Sequence, residues 1–210
     1  MRGRLVTFEG IEGSGKSSLV TRLAASLGRP DRQVVATREP GEGLDPEIRE
    51  YVLTRARLQP LSEAFYMLMD RHQHVVGMLR PLLESGVHVL CDRYVDSTVA
   101  YQGGGSGIDR AALVAMNDLA VGATKPDLTI LLDLEVRVAL ERVRARSPHK
   151  QLDRFESETV EFHERVRRTY LDLAAAEPRR IVVVDAARPT EDVVAAVLPR
   201  LEALLSAVLS

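Results

Sequence analysis

Short apolar runs alternate along the chain with longer stretches in which apolar residues recur at helical spacing. Five apolar runs predict β-strands, at residues 5–8, 34–37, 87–91, 128–134 and 180–185. The third run, VHVLC, is apolar throughout, which is typical of a strand covered on both faces. Because strands that alternate with helices are joined by right-handed crossovers, this order predicts an α/β fold, a parallel sheet with helices on both faces.

Helical spacing between the runs predicts helices at residues 17–27 and 46–53, a long helix at 62–84 and a final helix. The apolar positions of the long helix are Phe65, Leu68, Met69, Val75, Val76, Leu79, Leu82 and Leu83. Those of the final helix are Val194, Val197, Leu198, Leu201, Leu204, Leu205 and Val208. The segment YQGGGSGID, residues 101–109, is predicted to be a flexible loop, too short to link two domains. We therefore expect residues 1–210 to form a single domain.

A glycine-rich motif lies between the first strand and the first helix. Residues 10–17, GIEGSGKS, match the spacing G-x-x-x-x-G-K-[ST]. Backbone N–H groups of such a loop point into one concavity at a helix N-terminus and bind phosphate oxygens. Lys16 is suited to neutralise the β- and γ-phosphates, and the Ser17 hydroxyl to ligate Mg²⁺. The motif predicts a nucleoside triphosphate site, with Gly10, Ile11, Glu12, Gly13, Ser14, Gly15, Lys16, Ser17 and Ser18 as the ATP-binding residues.

Charged residues follow two other predicted strands. Arg38 follows the second strand, and Asp92 and Arg93 follow the third. Ligands of open parallel sheets gather at the carboxyl ends of the strands, so these side chains are expected to face the phosphate loop. Asp92 is suited to hold Mg²⁺, directly or through water. The two guanidinium groups match a second phosphate group, although a surface ion pair is the commoner fate of any single arginine.

A basic segment follows the fourth strand and predicts a lid, at about residues 142–154. Arg142 and Arg146 share one helix face at i, i+4, whereas Arg144 points elsewhere and is as well explained by a solvated face. Pro148 ends the helix, and Lys150 and Arg154 follow it. Such a lid supplies arginines to a transferring phosphoryl group and expels water when it closes.

Amino-acid composition and net charge limit the classes of partner expected for the protein. The chain has 28 basic and 30 acidic residues, a net charge of −2, which argues against a nucleic-acid-binding protein. No apolar stretch reaches the roughly 18 residues of a membrane span, so no membrane partner is expected. The single cysteine, Cys91, excludes an internal disulfide and fits a cytoplasmic location.

Taken together, these motifs resemble those of thymidylate kinases, the nucleoside monophosphate kinases that act on dTMP. The matching stretches are FEGIEGSGKS, TREPG, DRYVDSTVAYQGGG, KPDLTILLD and RARSPHKQLDRFE, from residue 8 to residue 156, and VVVDAARP resembles the adenine-side loop of the family. The resemblance implies a P-loop NTPase three-layer sandwich with a five-stranded parallel sheet, and a homodimer. It implies transfer of phosphate from Mg-ATP to dTMP, giving dTDP for dTTP biosynthesis.

The resemblance also implies roles for single residues. Glu12 would meet the sugar 3′-hydroxyl of dTMP, and Arg38 and Arg93 would bind its phosphate. Arg71 would reach the exocyclic oxygen of thymine, and Tyr101 would crowd the ribose 2′ position. The residues implied around the base are Met67, Ser97, Thr98 and Gln102. Because arginines are absent from the phosphate loop and frequent in the lid, the chain resembles the bacterial lid-arginine type, with Arg142, Arg146 and Arg154 as catalytic candidates beside Lys16 and Arg93.

Three positions depart from the family pattern. Met67 stands where the family often has a phenylalanine that stacks on thymine, so Phe65 or Tyr66 is a candidate substitute. Glu42 stands where a second glycine is usual in the TREPG loop, and the lid is a few residues longer than in some relatives.

Two other functions would use some of these motifs. Another P-loop kinase would share the phosphate loop but lack the segment from DRY to AYQG. A regulatory GTPase would use TKPD, residues 124–127, to read guanine. That motif should follow a strand, whereas here the strand at 128–134 comes after it, and no D-x-x-G follows the third strand.

Overall fold

Five strands form one parallel sheet in the order β2-β3-β1-β4-β5. They are β1 (Leu5–Glu9), β2 (Val34–Arg38), β3 (His88–Asp92), β4 (Leu128–Asp133) and β5 (Ile181–Asp185). The structure is a computed structural model and describes residues 2–54, 58–146 and 155–206. All five strands lie within one or two residues of their predicted positions, and the α/β class with a five-stranded parallel sheet is confirmed.

Helices cover both faces of the sheet. They are α1 (Lys16–Leu27), α2 (Pro46–Thr54), α3 (Pro60–His74), α4 (Arg80–Glu84), α5 (Val95–Thr98), α6 (Arg110–Val121), α7 (Val136–Arg146), α8 (Val160–Ala176) and α9 (Thr190–Ser206). Every residue of β1 is buried, and the larger apolar cluster packs α1, α8 and α9 against β1 and β4. A second cluster packs Val75, Leu79 and Leu83 against β3. The apolar stripe predicted for the final helix is confirmed by buried Val197, Leu201 and Leu205, and its last predicted member, Val208, lies outside the described residues.

The predicted long helix is confirmed over residues 60–84, although it is not α-helical throughout. A π-helical segment, Val75–Leu79, separates α3 from α4. Phe65, Met69 and Val76 are about half exposed, whereas Val75, Leu79 and Leu83 are buried, so the apolar positions of this helix do not all face the core. The apolar spacing of this region combines two faces, one that packs on β3 and one that meets solvent.

The prediction of a flexible loop at 101–109 is wrong for residues 101–105. Val99–Gly105 is a π-helical segment in which Tyr101 and Gln102 are buried. Its glycines permit close packing: a Cβ on Gly104 would lie 2.0 Å from Thr169 Oγ1, and one on Gly105 would lie 2.5 Å from the Phe162 ring, both on α8. The glycine run therefore seats α8 directly against the segment that carries Tyr101.

Candidate active site

The phosphate loop occupies the turn from β1 to α1. Gly13 has a φ of +78°, and a Cβ there would lie 2.2 Å from the Ala139 carbonyl oxygen, so only glycine fits. Lys16 Nζ donates to the carbonyl oxygens of Gly10 and Ile11, each at 2.9 Å. Burial, reinforced by the charge of Arg93, lowers the pKa of Lys16 to about 8. The lysine is thus folded over its own loop, where it would meet phosphate oxygens.

Ser17 and Asp92, the predicted metal ligands, lie side by side. Ser17 Oγ donates to Asp92 Oδ2 at 2.5 Å, which joins the start of α1 to the end of β3. The other oxygen, Asp92 Oδ1, is buried and lacks a partner in the described part of the chain. Residues 2–54, 58–146 and 155–206 hold no cluster of three or more metal-ligating side chains. The pair therefore fits Mg²⁺ that takes its remaining ligands from phosphate and water.

Arg93 directly follows β3 and adopts a left-handed backbone, with a φ of +69°. Its Nη2 donates to Glu12 Oε1 at 2.6 Å and to the Tyr101 hydroxyl at 3.2 Å. The guanidinium also lies over the Tyr101 ring, 4.8 Å from its centroid. Burial raises the pKa of Glu12, but Arg93 and Lys16 outweigh it and hold that pKa below its ordinary value. Glu12 is therefore an anion between two cations.

A second carboxylate, Glu9, lies beneath the phosphate loop and is fully buried. It accepts hydrogen bonds from the Tyr94 N–H at 2.8 Å, from Ser97 Oγ at 2.5 Å and from the Tyr170 hydroxyl at 3.0 Å. Burial, reinforced by the charge of Asp96, raises the pKa of Glu9 from 4.5 to about 7. Glu9 thereby anchors the start of α5, from which Ser97 and Thr98 project.

Arg71 on α3 is held rigidly from four sides. Its Nε donates to Glu39 Oε2 at 2.7 Å, and Nη1 donates to Thr98 Oγ1 and Asn117 Oδ1, both at 2.7 Å. Nη2 donates to the Tyr94 carbonyl at 2.8 Å. A guanidinium has five N–H groups, so these bonds leave one Nη2–H for another acceptor.

One cleft contains most of the predicted site. The predicted residues that line it are Glu12, Gly13, Gly15, Lys16, Ser17, Ser18, Arg38, Met67, Arg71, Asp92, Arg93, Ser97, Thr98, Tyr101, Gln102 and Arg146. Arg38 is exposed beside Glu42, 3.8 Å away, so the unusual glutamate pairs with a predicted phosphate ligand. Gly10, Ile11 and Ser14 lie behind this surface, where they shape the loop. One cleft therefore contains both the phosphate loop and the predicted acceptor residues.

The predicted lid arginines do not all lie at the cleft. Arg146 lines the cleft and pairs with Glu156 at 2.7 Å. Arg142 instead donates to the Ala186 carbonyl at 2.9 Å, on the loop predicted to face adenine. Arg154 and Lys150 lie outside the described residues. The geometry thus distinguishes Arg146, at the cleft, from Arg142, at the loop after β5.

Sequence reasoning missed several residues of the cleft, chiefly Arg49, Leu53 and Phe155. Phe155 contacts the Tyr101 ring edge to face, with centroids 5.3 Å apart. Phe65, which is 54% exposed, and Tyr66, which is buried, are not among the described residues that line the cleft, so the structure supports neither as the replacement for the missing phenylalanine. Leu53 and Phe155 share an apolar cluster with Met67 and also line the cleft; Phe155 belongs to the stretch RARSPHKQLDRFE, in which only the basic residues were singled out.

TKPD lies at the opposite end of the sheet, before β4. Asp127 Oδ2 accepts from the Leu5 N–H at 2.8 Å, which ties the entries of β4 and β1 together. It is therefore distant from the carboxyl ends of the strands, and the structure argues against a guanine-reading role.

The fold and the cleft define a P-loop phosphotransferase, in which the phosphate loop shares one cleft with Arg38, Arg71 and Arg93. The family model described as thymidylate kinase matches residues 8–197. The thymidylate kinase of Desulfovibrio desulfuricans is 46% identical over 207 residues, 95% of each chain. The chain belongs to the thymidylate kinase family.

Further comparisons agree with this assignment. The thymidylate kinase of Clavibacter michiganensis subsp. michiganensis is 46% identical over 209 residues, 99% of this chain and 98% of the relative. The crystal structure of thymidylate kinase from Ehrlichia chaffeensis superposes with a TM-score of 0.77 at 32% identity, over 96% of this chain and 99% of that one. Sequence and fold thus point to one family.

Proposed function

We propose that this protein transfers the γ-phosphoryl group of ATP to dTMP, giving dTDP for dTTP synthesis. Membership of the thymidylate kinase family supports the reaction. The observation that carries it is that one cleft is lined both by the phosphate loop with Lys16 and by Arg71, Arg93 and Tyr101. A site for a donor phosphate and the proposed site for an acceptor nucleotide therefore share one cleft.

Charge and alignment supply the catalysis. Phosphoryl transfer between two anions needs positioned cations rather than a strong base. Lys16 would bind the β- and γ-phosphates, and Arg93 the acceptor phosphate. Arg146 from the lid would add charge at the transferring group. Ser17 and Asp92 would hold Mg²⁺, which neutralises developing charge when it is bound.

The acceptor pocket explains the choice of base. Arg71 offers only donors, and its remaining Nη2–H suits the exocyclic carbonyl oxygen of thymine. The amino group at the same position of cytosine is itself a donor and would meet an unpaired donor, a large penalty in a buried site. Met67 would cover the ring face, with Ser97, Thr98 and Gln102 around the base.

Sugar recognition is assigned to two side chains that already contact each other. The Tyr101 hydroxyl donates to Glu12 Oε2 at 2.5 Å. Glu12 would accept the sugar 3′-hydroxyl, and the Tyr101 ring would occupy the space that a 2′-hydroxyl needs.

A homodimer in the cytoplasm is the proposed form of the enzyme. Phe65, Met69 and Val76 form an exposed apolar stripe along α3 and the π-helical segment that follows it, and this stripe supports subunit contact. In the described part of the chain, no helix is both long and apolar enough to cross a bilayer. Cys91, the single cysteine, is buried and unpaired.

A coupled ADP-release assay tests the proposal. Mg-ATP is supplied with dTMP, dUMP, UMP, dCMP, AMP or GMP in parallel. We expect a clear preference for dTMP, with dUMP weaker by about 10–200-fold because it lacks one methyl group. If another monophosphate were preferred, the assignment of the base site would fail.

Two substitutions complete the test. Lys16→Ala should abolish turnover, and Arg93→Ala should lower it by roughly 10³-fold or more. Lys125→Ala is the matched control, because Lys125 is exposed and pairs only with Asp118 among the described residues. Near-normal turnover in either site variant would refute the assignment.

A further inference from the structure

His163 is a buried histidine that the proposed chemistry leaves unused. It lies in the first turn of α8 and is 1% exposed. Neither of its ring nitrogens has a hydrogen-bond partner among residues 2–54, 58–146 and 155–206. A neutral imidazole always carries one N–H, and burying it unpaired costs about 1–3 kcal/mol. Because of this cost, we expect another state of the protein in which the His163 ring has a hydrogen-bond partner.

Glu12 is the acidic group within reach of this ring. His163 Nδ1 lies 3.8 Å from Glu12 Oε2. That separation is too long for a hydrogen bond, although a movement of about 1 Å would form one. In this structure each carboxylate oxygen of Glu12 already has a hydrogen-bond donor other than His163. Arg93 donates to one oxygen and the Tyr101 hydroxyl donates to the other.

A basic side chain further along α8 already has an ion-pair partner. Arg167, one turn further along α8, makes a bidentate pair with Asp133 at the end of β4, at 2.7 and 2.9 Å. Toward the phosphate loop, the groups facing the ring are Glu12 with its partners Arg93, Lys16 and Tyr101. The Glu12 carboxylate is therefore the charged group that the His163 ring can reach, and Arg93, Lys16 and Tyr101 set the charge balance there.

Binding of the acceptor changes that balance. The same Arg93 guanidinium that neutralises Glu12 is the proposed ligand of the acceptor phosphate. When phosphate draws Arg93 away, Glu12 remains a buried carboxylate without its closest cation, which is costly. We propose that His163 then takes up a proton and replaces Arg93 as the charge partner of Glu12, which makes it a positioning residue for Glu12. This inference rests on the proposed function, because it requires a phosphate at Arg93.

Histidine NMR on the wild-type protein tests the exchange directly. The ring signals of His163, assigned by their loss in His163→Gln or His163→Asn, are followed from pH 5 to 9 with and without saturating dTMP. We expect dTMP to raise the titration midpoint of His163 by about 1 pH unit, the effect of a nearby opposite charge. His72, exposed on α3, is the internal control and should not respond. An unchanged or lowered midpoint for His163 would overturn the inference.

Kinetics separate this role from a purely structural one. His163→Gln keeps a hydrogen-bond donor but not a charge, so its KM for dTMP should rise about tenfold at pH 6.5 and equal that of the wild type at pH 9. The KM for ATP should stay constant, and His72→Gln should match the wild type throughout. The phosphate of dTMP titrates equally in both proteins, so the difference between the profiles isolates the histidine. An equal rise at both pH values would contradict the proposal.

Different results would refute the proposed function and the inference about His163. Normal turnover of dTMP with an unresponsive His163 would overturn this inference alone. A protein that does not accept dTMP would remove both.

Discussion

Removal of the charge on Glu9 is expected to stabilise the fold at neutral and alkaline pH. Glu9 is fully buried at the end of β1, and burial, reinforced by Asp96, raises its pKa from 4.5 to about 7. The folded protein therefore holds this proton more tightly than the unfolded chain. Stability from this group is complete below pH 4.5 and is lost as the pH rises through 7.

The magnitude follows from the same two values. Each pKa unit is worth about 1.4 kcal/mol, so ionising Glu9 in the folded state costs about 3 kcal/mol by pH 8. Glu9→Gln cannot ionise, and its amide still accepts from the Tyr94 N–H. The amide N–H₂ can face the hydroxyls of Ser97 and Tyr170, which rotate to accept. We expect the variant to gain up to about 3 kcal/mol at pH 8 and nothing at pH 4.5.

Urea unfolding at several pH values between 4.5 and 8 measures this difference. The wild type should lose stability across that range relative to Glu9→Gln, with the steepest divergence between about pH 5 and 6.5. Glu84→Gln, an exposed change on α4, is the control and should follow the wild type within about 0.5 kcal/mol. Parallel stability curves for wild type and Glu9→Gln would refute the reasoning, as would a variant less stable than wild type at pH 8.

Three further predictions concern the cleft and the packing of its wall. Met67→Phe should lower the KM for dTMP roughly two- to tenfold in the coupled assay, since an aromatic ring stacks better on a base; an unchanged KM would place Met67 away from the base. Tyr101→Ala should raise the ratio of ribose TMP to dTMP turnover by about tenfold or more, and an unaltered ratio would contradict the steric account. Gly105→Ala should destabilise the fold by about 1–3 kcal/mol in thermal unfolding, because its Cβ would lie 2.5 Å from the Phe162 ring. Gly77→Ala, with no atom within 4 Å of its Cβ, is the matched control and should be neutral or stabilising by up to about 1 kcal/mol; equal losses in both would dismiss the packing argument.

Local sequence predicted the parts of the site that depend on local geometry. The phosphate loop and Asp92 could be placed because each directly follows a strand, and parallel strands end at a common edge. Glycines 103–105 could not be interpreted in this way. The same residues serve a flexible loop or a close contact, and the deciding partner, α8, lies more than fifty residues later. Arg49 and Phe155 were missed for the same reason, since the cleft gathers them from distant segments.

The direction of the lid arginines was also beyond sequence reasoning. Arg142 and Arg146 share a helix face by spacing, yet one donates to the Ala186 carbonyl and the other lines the cleft. Long side chains on one face reach in different directions according to the acceptors around them. The i, i+4 rule gives their common face and leaves their partners open.

The burial of Cys91 has a practical consequence. Its thiol is fully buried in β3, and burial raises its pKa well above the ordinary value, so very little reactive thiolate forms at neutral pH. The wild-type enzyme should therefore resist alkylating reagents and mild oxidants. A cysteine introduced at an exposed position such as Arg168 on α8 would be the single reactive thiol, ready for a fluorescent label. The native cysteine therefore does not have to be removed before a spectroscopic label is attached elsewhere.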